Sequence, residues 1–423
     1  MNRKINKVAV IGSGIMGSGI ACHFANIGVE VLLLDIIPNK LSDVEIKKNL
    51  SLEDNTVRNR IVTESLAKAI KSKPSPLYHK NFKNRITTGN LTDDLEKIAD
   101  SDWIIEVVIE NLEIKNQVFK EIEKYRKDGT IITSNTSGIP IKFMSSDRSE
   151  DFQQHFAVTH FFNPPRYLKL FEIVPGPNCK DEVVEFLNMF GEKFLGKTSV
   201  IAKDTPGFIG NRIGNFGIQD LFHNMKEFDI SIEDLDTLTG PLIGRPKSAT
   251  FRTADLVGID TLYRVSNGIY ENCPDDECRD VFVTPDFIKD MLEKTWLGDK
   301  TGQGFYKKTR DKNGKREILV LDFESMEYRK MNKTRFDIVG KAKKIENTID
   351  RFNVLINGDD KVSKFYRKTL AGMFSYAQNR IPEISDNIYS IDDAVKAGFG
   401  WENGPFEVWD AVGIEEGIKL IES

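Results

Sequence analysis

The apolar run Val8-Ala9-Val10-Ile11 passes at once into Gly12-Ser13-Gly14-Ile15-Met16-Gly17. A short unbroken apolar run of this kind predicts a strand buried on both faces. A helix is expected next, running to about Asn26, with Gly28 as its stop. Residues 29–34 form a second buried strand, and Asp35 stands at its C-terminal end. Residues 85–88, 103–109 (apolar apart from Glu106) and 130–133 continue the strand pattern, separated by helical segments such as 113–125. Such alternation predicts a mostly parallel sheet with helices on both sides. Pro38 is expected to open a helix, and 44–69 reads as charged and helical.

From residue 157 the rhythm changes. Strands are expected at 157–162, 168–174 and 199–202, with a helix at 181–194 before the last. A short Pro-containing connection joins the first two, which predicts an antiparallel pair. Lys203-Asp204-Thr205-Pro206-Gly207 marks a boundary, where Asp204 or Thr205 is expected to cap a helix opened by Pro206. Beyond it the pattern is mainly helical and repeats itself. Ser231-Ile232-Glu233-Asp234 precedes Gly240 and then Asp255-Leu256-Val257-Gly258-Ile259-Asp260. Ser390-Ile391-Asp392-Asp393 precedes Gly398 and then Asp410-Ala411-Val412-Gly413-Ile414-Glu415. Two tandem copies of one small helical domain are expected. Between them, Asn313-Gly314 predicts a β-hairpin, and the charged stretch 329–350 reads as a linker. The domains expected are 1–204 (α/β, Rossmann-type), 205–310 (first helical copy), 311–355 (hairpin and linker) and 356–423 (second copy).

Bulk composition narrows the function. A chain of 423 residues fits two to four domains. A net charge of −5 offers no general field for nucleic acid. No apolar run is long enough to span a bilayer, and MNRKINK leads into the first strand without a signal-peptide core. Cys22, Cys179, Cys273 and Cys278 are scattered and complete no metal-binding pattern. They suit a reducing cytoplasm, and no metal is expected.

The glycine stretch carries the first chemistry. Gly12 allows a tight turn, Gly14 lets a pyrophosphate approach the backbone, and Gly17 lets helix and strand pack closely. The helix start then offers free N–H groups to phosphate. Asp35 lies where an acid binds the adenosine ribose and favours NAD over NADP. The loop follows a strand, opens a helix and has its acid at the right distance, which is the context that makes the motif specific.

His160-Phe161-Phe162-Asn163-Pro164-Pro165, with Glu172 further on, is the second informative stretch. If the two strands pair across the Pro-containing turn, His160 and Glu172 become neighbours. A carboxylate there fixes the imidazole tautomer and stabilises its protonated form, as a general base requires. His23, His79, His155 and His223 read as ordinary hydrogen-bonded histidines. Ser137 closes a strand on the ligand-binding side of the sheet, or else caps a helix before Ile139-Pro140. Asn211 lies in the first helix of the helical part. Lys68, Lys71, Lys73, Lys80, Lys83 and Arg85 form a basic cluster with no acid between Glu64 and Asp93, which is either a solvated face or an anion site.

Taken together, GSGIMGSGIA, Glu110-Asn111-Leu112, SNTS, HFFNPP, KDTPGFIGNR and GPFEVWDAVGIE resemble the L-3-hydroxyacyl-CoA dehydrogenases of fatty-acid β-oxidation over nearly the whole chain. The resemblance implies oxidation of (S)-3-hydroxyacyl-CoA to 3-oxoacyl-CoA with NAD. It implies His160 as general base, Glu172 as its orienting partner, and Ser137 and Asn211 as hydrogen-bonding residues toward substrate. Gly12, Gly14, Ile15, Met16, Gly17, Asp35, Glu110, Lys115, Ser137 and Asn163 would line the cofactor site, and the helical arm after Asp35 would contact CoA. The first helical copy reads Gly244-Arg245-Pro246-Lys247-Ser248-Ala249-Thr250, where the second has Gly404-Pro405-Phe406. This resembles a tandem-domain subset fused to an enoyl-CoA hydratase domain. No such domain lies within the 423 residues, so a separate enzyme or part of a longer polypeptide is expected, as a monomer or homodimer. Two rivals remain. A β-hydroxyacid dehydrogenase would rely on a catalytic Lys, and the HFFNPP stretch argues against it. A silent NAD- or CoA-binding scaffold for a hydratase partner would not need His160, Glu172, Ser137 and Asn211 together.

Overall fold

The computed structural model describes residues 3–332 and 334–423. Met1, Asn2 and Lys333, which fall within the expected N-terminal lead and linker, lie outside the described residues. The chain divides into two compact units, Met1–Thr205 and Pro206–Ser423.

The first unit is built on eight strands: β1 (Lys7–Ile11), β2 (Glu30–Asp35), β3 (Ile86–Asn90), β4 (Trp103–Glu106), β5 (Ile131–Ser134), β6 (Phe156–Phe161), β7 (Leu170–Pro175) and β8 (Thr198–Ile201). They lie in the order β3-β2-β1-β4-β5-β6-β7-β8. All neighbours are parallel except β6 and β7. Val8 to Ile11, Trp103 to Ile105 and Ile131 to Ile132 are fully buried, as strands covered by helices on both faces must be. The sheet grows in opposite directions from β1, through β2 on one side and β4 on the other. That reversal opens a crevice at the carboxyl ends of β1 and β4, where ligands bind in open α/β sheets.

The expected helix at Pro38 is absent. The chain instead enters helices at Asp43–Lys47, Asn55–Arg58 and Arg60–Lys71. Ser42 decides the first of these. Its hydroxyl accepts the Glu45 N–H, and Glu45 Oε2 accepts the Ser42 N–H at 2.7 Å. That reciprocal box satisfies two donors that a bare Pro38 would leave open.

The second unit is mainly helical, led by the long helices Gly210–Glu227 and Lys361–Asn379. The expected hairpin is present and gains a third strand: β9 (Tyr306–Arg310), β10 (Arg316–Asp322) and β11 (Glu327–Lys330). The start expected at Asp204, Thr205 or Pro206 moves to Gly210. Asp204 is engaged elsewhere in its own unit, accepting the Ile141 N–H at 2.9 Å. The charged stretch 329–350 is more ordered than a linker. It holds the end of β11 and the helix Asp337–Ala342, whose Ile338, Val339 and Ala342 are buried in the apolar core.

Local geometry recurs along this unit. Ser231 caps the helix Ile232–Leu238, and Asn387 caps Ile388–Phe399. Asp236 accepts the N–H groups of Thr250 and Phe251, as Asp392 accepts those of Phe406 and Glu407. Gly244 and Gly400 both turn left-handed, at φ 69° and 68°. Ser390, the expected second cap, is not one; its N–H donates to Asn387 Oδ1 at 2.9 Å. The recurring geometry therefore runs three residues out of step with the Ser-Ile-acid phrase.

Candidate active site

The glycine loop sits at the end of β1. Gly12 has φ +105°, and a Cβ there would meet Val107 O at 2.5 Å. A Cβ at Gly17 would run into Gly12 O, so this glycine sets the contact between strand and helix. Nothing crowds Gly14 within 4 Å, and Ile15, the first residue of the helix Ile15–Asn26, is 76% exposed. Met16 packs against the apolar core of the unit. Asp35 ends β2 beside this loop. Its carboxylate accepts the Ser13 N–H at 2.6 Å, the Ser13 hydroxyl, and the Ile36 N–H at 2.7 Å.

Across the crevice, β4 ends in Glu106, whose side chain is fully buried. In the sequence Glu106 stands out only as the one charged residue of the apolar run 103–109. Glu106 accepts Lys115 Nζ at 2.9 and 3.0 Å, Ser134 Oγ at 2.5 Å and the Val108 N–H at 2.6 Å. Burial pushes its carboxyl upward, while Lys115, Ser134 and Val108 pull it back. Lys115 also pairs with Glu110 at 3.2 Å. Glu110 in turn accepts the Ser137 N–H at 3.1 Å and the Thr136 hydroxyl. Ser137 is thereby tied to Glu110. It caps no helix, since the next helix is Lys142–Ser145 with Ile141 at its N-cap.

β6 and β7 pair in the register His160↔Glu172. His160 Nδ1 lies 2.7 Å from Glu172 Oε2. Glu172 is fully buried and His160 nearly so. The connection between them carries exposed Asn163 and a cis Asn163–Pro164 bond. Lys197, also missed in the sequence, clamps this connection by donating to the carbonyls of Pro165 and Leu168. Burial pushes its ammonium down to about 8.

Asn211 belongs to the second unit. It is half-buried in the first turn of Gly210–Glu227, beside fully buried Arg212. Of the basic cluster, Lys68, Lys71, Lys73, Lys80 and Lys83 are exposed. Arg85 differs: it donates to Ala25 O at 2.6 Å and covers the Phe82 ring. The cysteines are free thiols. Among the described residues no helix is long and apolar enough to cross a membrane.

Residues 7–205 match the family model for the 3-hydroxyacyl-CoA dehydrogenase NAD binding domain, and 207–308 match that for the C-terminal domain. A Deinococcus radiodurans relative named as a probable 3-hydroxyacyl-CoA dehydrogenase is 43% identical over 312 residues, covering 74% of this chain and 85% of the relative. A Bacillus subtilis relative of the same name is 46% identical over 422 residues, covering 100% of this chain but 53% of the relative. A Rickettsia prowazekii relative named for a fatty acid oxidation complex trifunctional enzyme is 33% identical, covering 100% of this chain and 55% of its own. The chain thus spans about half the length of these last two. The fold is shared with 3-hydroxybutyryl-CoA dehydrogenase from Escherichia coli, at TM-score 0.68 and 21% identity, over 99% of this chain and 94% of that one.

Proposed function

The chain belongs to the 3-hydroxyacyl-CoA dehydrogenase family, and from that premise we propose that it oxidises (S)-3-hydroxyacyl-CoA to 3-oxoacyl-CoA with NAD, or catalyses the reverse reduction, in fatty-acid β-oxidation. The observation that carries this reading is the buried His160–Glu172 pair at 2.7 Å.

The residues present fit NAD. Open space at Gly14 and an exposed helix start leave room for a pyrophosphate, and Asp35 lies beside that loop. Gly12, Gly14, Ile15, Met16, Gly17, Asp35, Glu110, Lys115, Ser137 and Asn163 would hold the cofactor. NAD, when bound, supplies the acceptor for the hydride leaving C3. His160 takes the hydroxyl proton. Its Nδ1 is committed to Glu172, so Nε2 is the basic nitrogen, and the carboxylate stabilises the imidazolium that forms. Ser137 hydrogen-bonds the reacting oxygen or the thioester carbonyl and holds the substrate in line, and for Asn211 a polar contact to substrate rests on the family resemblance alone. The exposed lysines of 68–83 supply charge for CoA phosphates.

The recurring caps, buried aspartates and left-handed glycines of the second unit are read as two tandem copies of one helical domain. Contacts between equivalent corners support this. Glu402 N–H donates to Gly244 O at 2.7 Å, a Cβ at Gly400 would meet Pro246 Cγ at 3.2 Å, and Arg245 covers the Trp401 ring. Each corner touches the other reciprocally, which is the pattern of a two-fold interface. That internal pairing favours a monomer. An enoyl-CoA hydratase domain or partner would supply the substrate by hydrating an enoyl thioester, and four free thiols suit a cytoplasmic setting.

The test is loss of NADH absorbance with acetoacetyl-CoA, repeated with NADPH. Robust turnover specific to NADH is expected. No turnover in a sample that binds NADH would favour the silent scaffold.

A further inference from the structure

We infer that Glu106 is a positioning residue for the cofactor site, acting through Lys115 and Glu110 on the Ser137 segment. The inference rests on the dehydrogenase reading above and adds a residue to it.

Glu106 occupies the last position of β4, paired in register with Ile11 on one side and Ser134 on the other. It therefore stands at the point where the sheet reverses its direction of growth. A carboxylate is a costly choice there, because an ionised group without water is strongly disfavoured unless paired and hydrogen-bonded. Glu106 meets that condition. Both oxygens face Lys115 Nζ, and Ser134 and Val108 donate to the remaining lone pairs. Lys115 is itself only 1% exposed, so its ammonium needs a counter-charge as much as Glu106 does.

The pair is not closed on itself. Among the described residues, Glu110 is the other acid that pairs with Lys115. Two acids and one base leave one negative charge over, on the partly exposed Glu110. That carboxylate already holds the Ser137 N–H and the Thr136 hydroxyl. The order of contacts runs from the buried strand end outward: Glu106, Lys115, Glu110, Ser137. With Glu106 ionised, Lys115 is charged and fixed, and Glu110 is drawn to one position. Without that charge, Lys115 would rest on Glu110 alone and pull it away from the Ser137 peptide.

The experiment measures NADH affinity by fluorescence, and kcat and KM with acetoacetyl-CoA, for the wild type, Glu106→Gln, Lys115→Met and the double variant. Glu106→Gln keeps the shape and removes the charge. Its NADH affinity is expected to fall about tenfold or more, the scale of one lost charge-assisted contact. Turnover at saturating NADH should fall far less than the affinity, because the contacts act on the cofactor site. A purely structural role would not produce that split between KM and kcat. The double variant is expected to bind no worse than Lys115→Met alone, since Glu106 acts through Lys115. It also covers the case in which Glu106→Gln fails to fold, because both buried charges are then gone together. Unchanged affinity in folded Glu106→Gln, or additive losses in the double variant, would overturn the inference. A wild type that bound no NADH would instead overturn the dehydrogenase reading.

Discussion

His160 on β6 stands directly opposite Glu172 on β7, with Nδ1 and Oε2 2.7 Å apart across an antiparallel pair. Paired strands hold this geometry more rigidly than a loop would, so the imidazole has a fixed orientation before any substrate arrives. His160→Gln keeps a polar side chain of similar reach but removes the proposed base. Turnover of acetoacetyl-CoA is expected to fall by about 10²–10⁴, the usual contribution of a general acid–base group. NADH affinity, measured by fluorescence titration, should stay close to that of the wild type. Near-normal turnover would remove His160 from the role.

Asp35 already accepts the Ser13 N–H and hydroxyl, so its charge lies against the glycine loop. A fixed negative charge there repels the extra phosphate of NADP. Asp35→Ala is expected to weaken NADH binding and to narrow the preference over NADPH by about tenfold or more. The ratio of kcat/KM values for the two cofactors reads this directly, and an unchanged ratio would place the ribose elsewhere.

Gly14 and Gly17 are three residues apart and serve different ends. A Cβ at Gly14 meets nothing within 4 Å, whereas one at Gly17 runs into the backbone of Gly12. Gly14→Ala should therefore leave Tm within a degree or two and weaken NADH binding. Gly17→Ala should lower Tm, because strand and helix must separate to admit the methyl group, at a cost of about 1–3 kcal/mol for overpacking. Equal effects of the two substitutions on Tm would contradict this division.

Much of the site was legible because its signals are local. The glycine spacing, Asp35 at a strand end and the short turn between His160 and Glu172 each lie within one or two elements. Glu106 was not legible, because its partners Lys115 and Ser134 come from a helix and a strand that meet it only in the folded sheet. Lys197 escaped notice for the same reason, since the carbonyls it holds belong to a distant loop. Helix starts failed where one residue was read without its partners. Pro38 lost to the reciprocal pair Ser42–Glu45, and Ser390 lost to Asn387, whose side chain accepts the N–H that Ser390 offers.

Asp220 gives a pH test of the second unit. It lies in the helix Gly210–Glu227 and lines a cavity of about 50 Å³, with the Asn224 side-chain amide 2.9 Å from Oδ1. Burial pushes its carboxyl up to about 7, against weaker pulls from Asn224 and Lys368. The unfolded chain ionises the same group near pH 4. Between these values the folded state holds a proton that the unfolded state has released, so stability falls as pH rises from about 4 through about 7, then levels off. Asp220→Asn removes that titration while keeping an oxygen for Asn224. The variant is expected to unfold at a higher temperature than the wild type at pH 8, with the difference shrinking toward zero at pH 4. Asp236, Asp255 and Asp392 are also pushed up, to about 6. They titrate in both proteins and cancel in the comparison. A Tm difference that did not vary between pH 4 and pH 8 would show that Asp220 has the same affinity for its proton folded and unfolded.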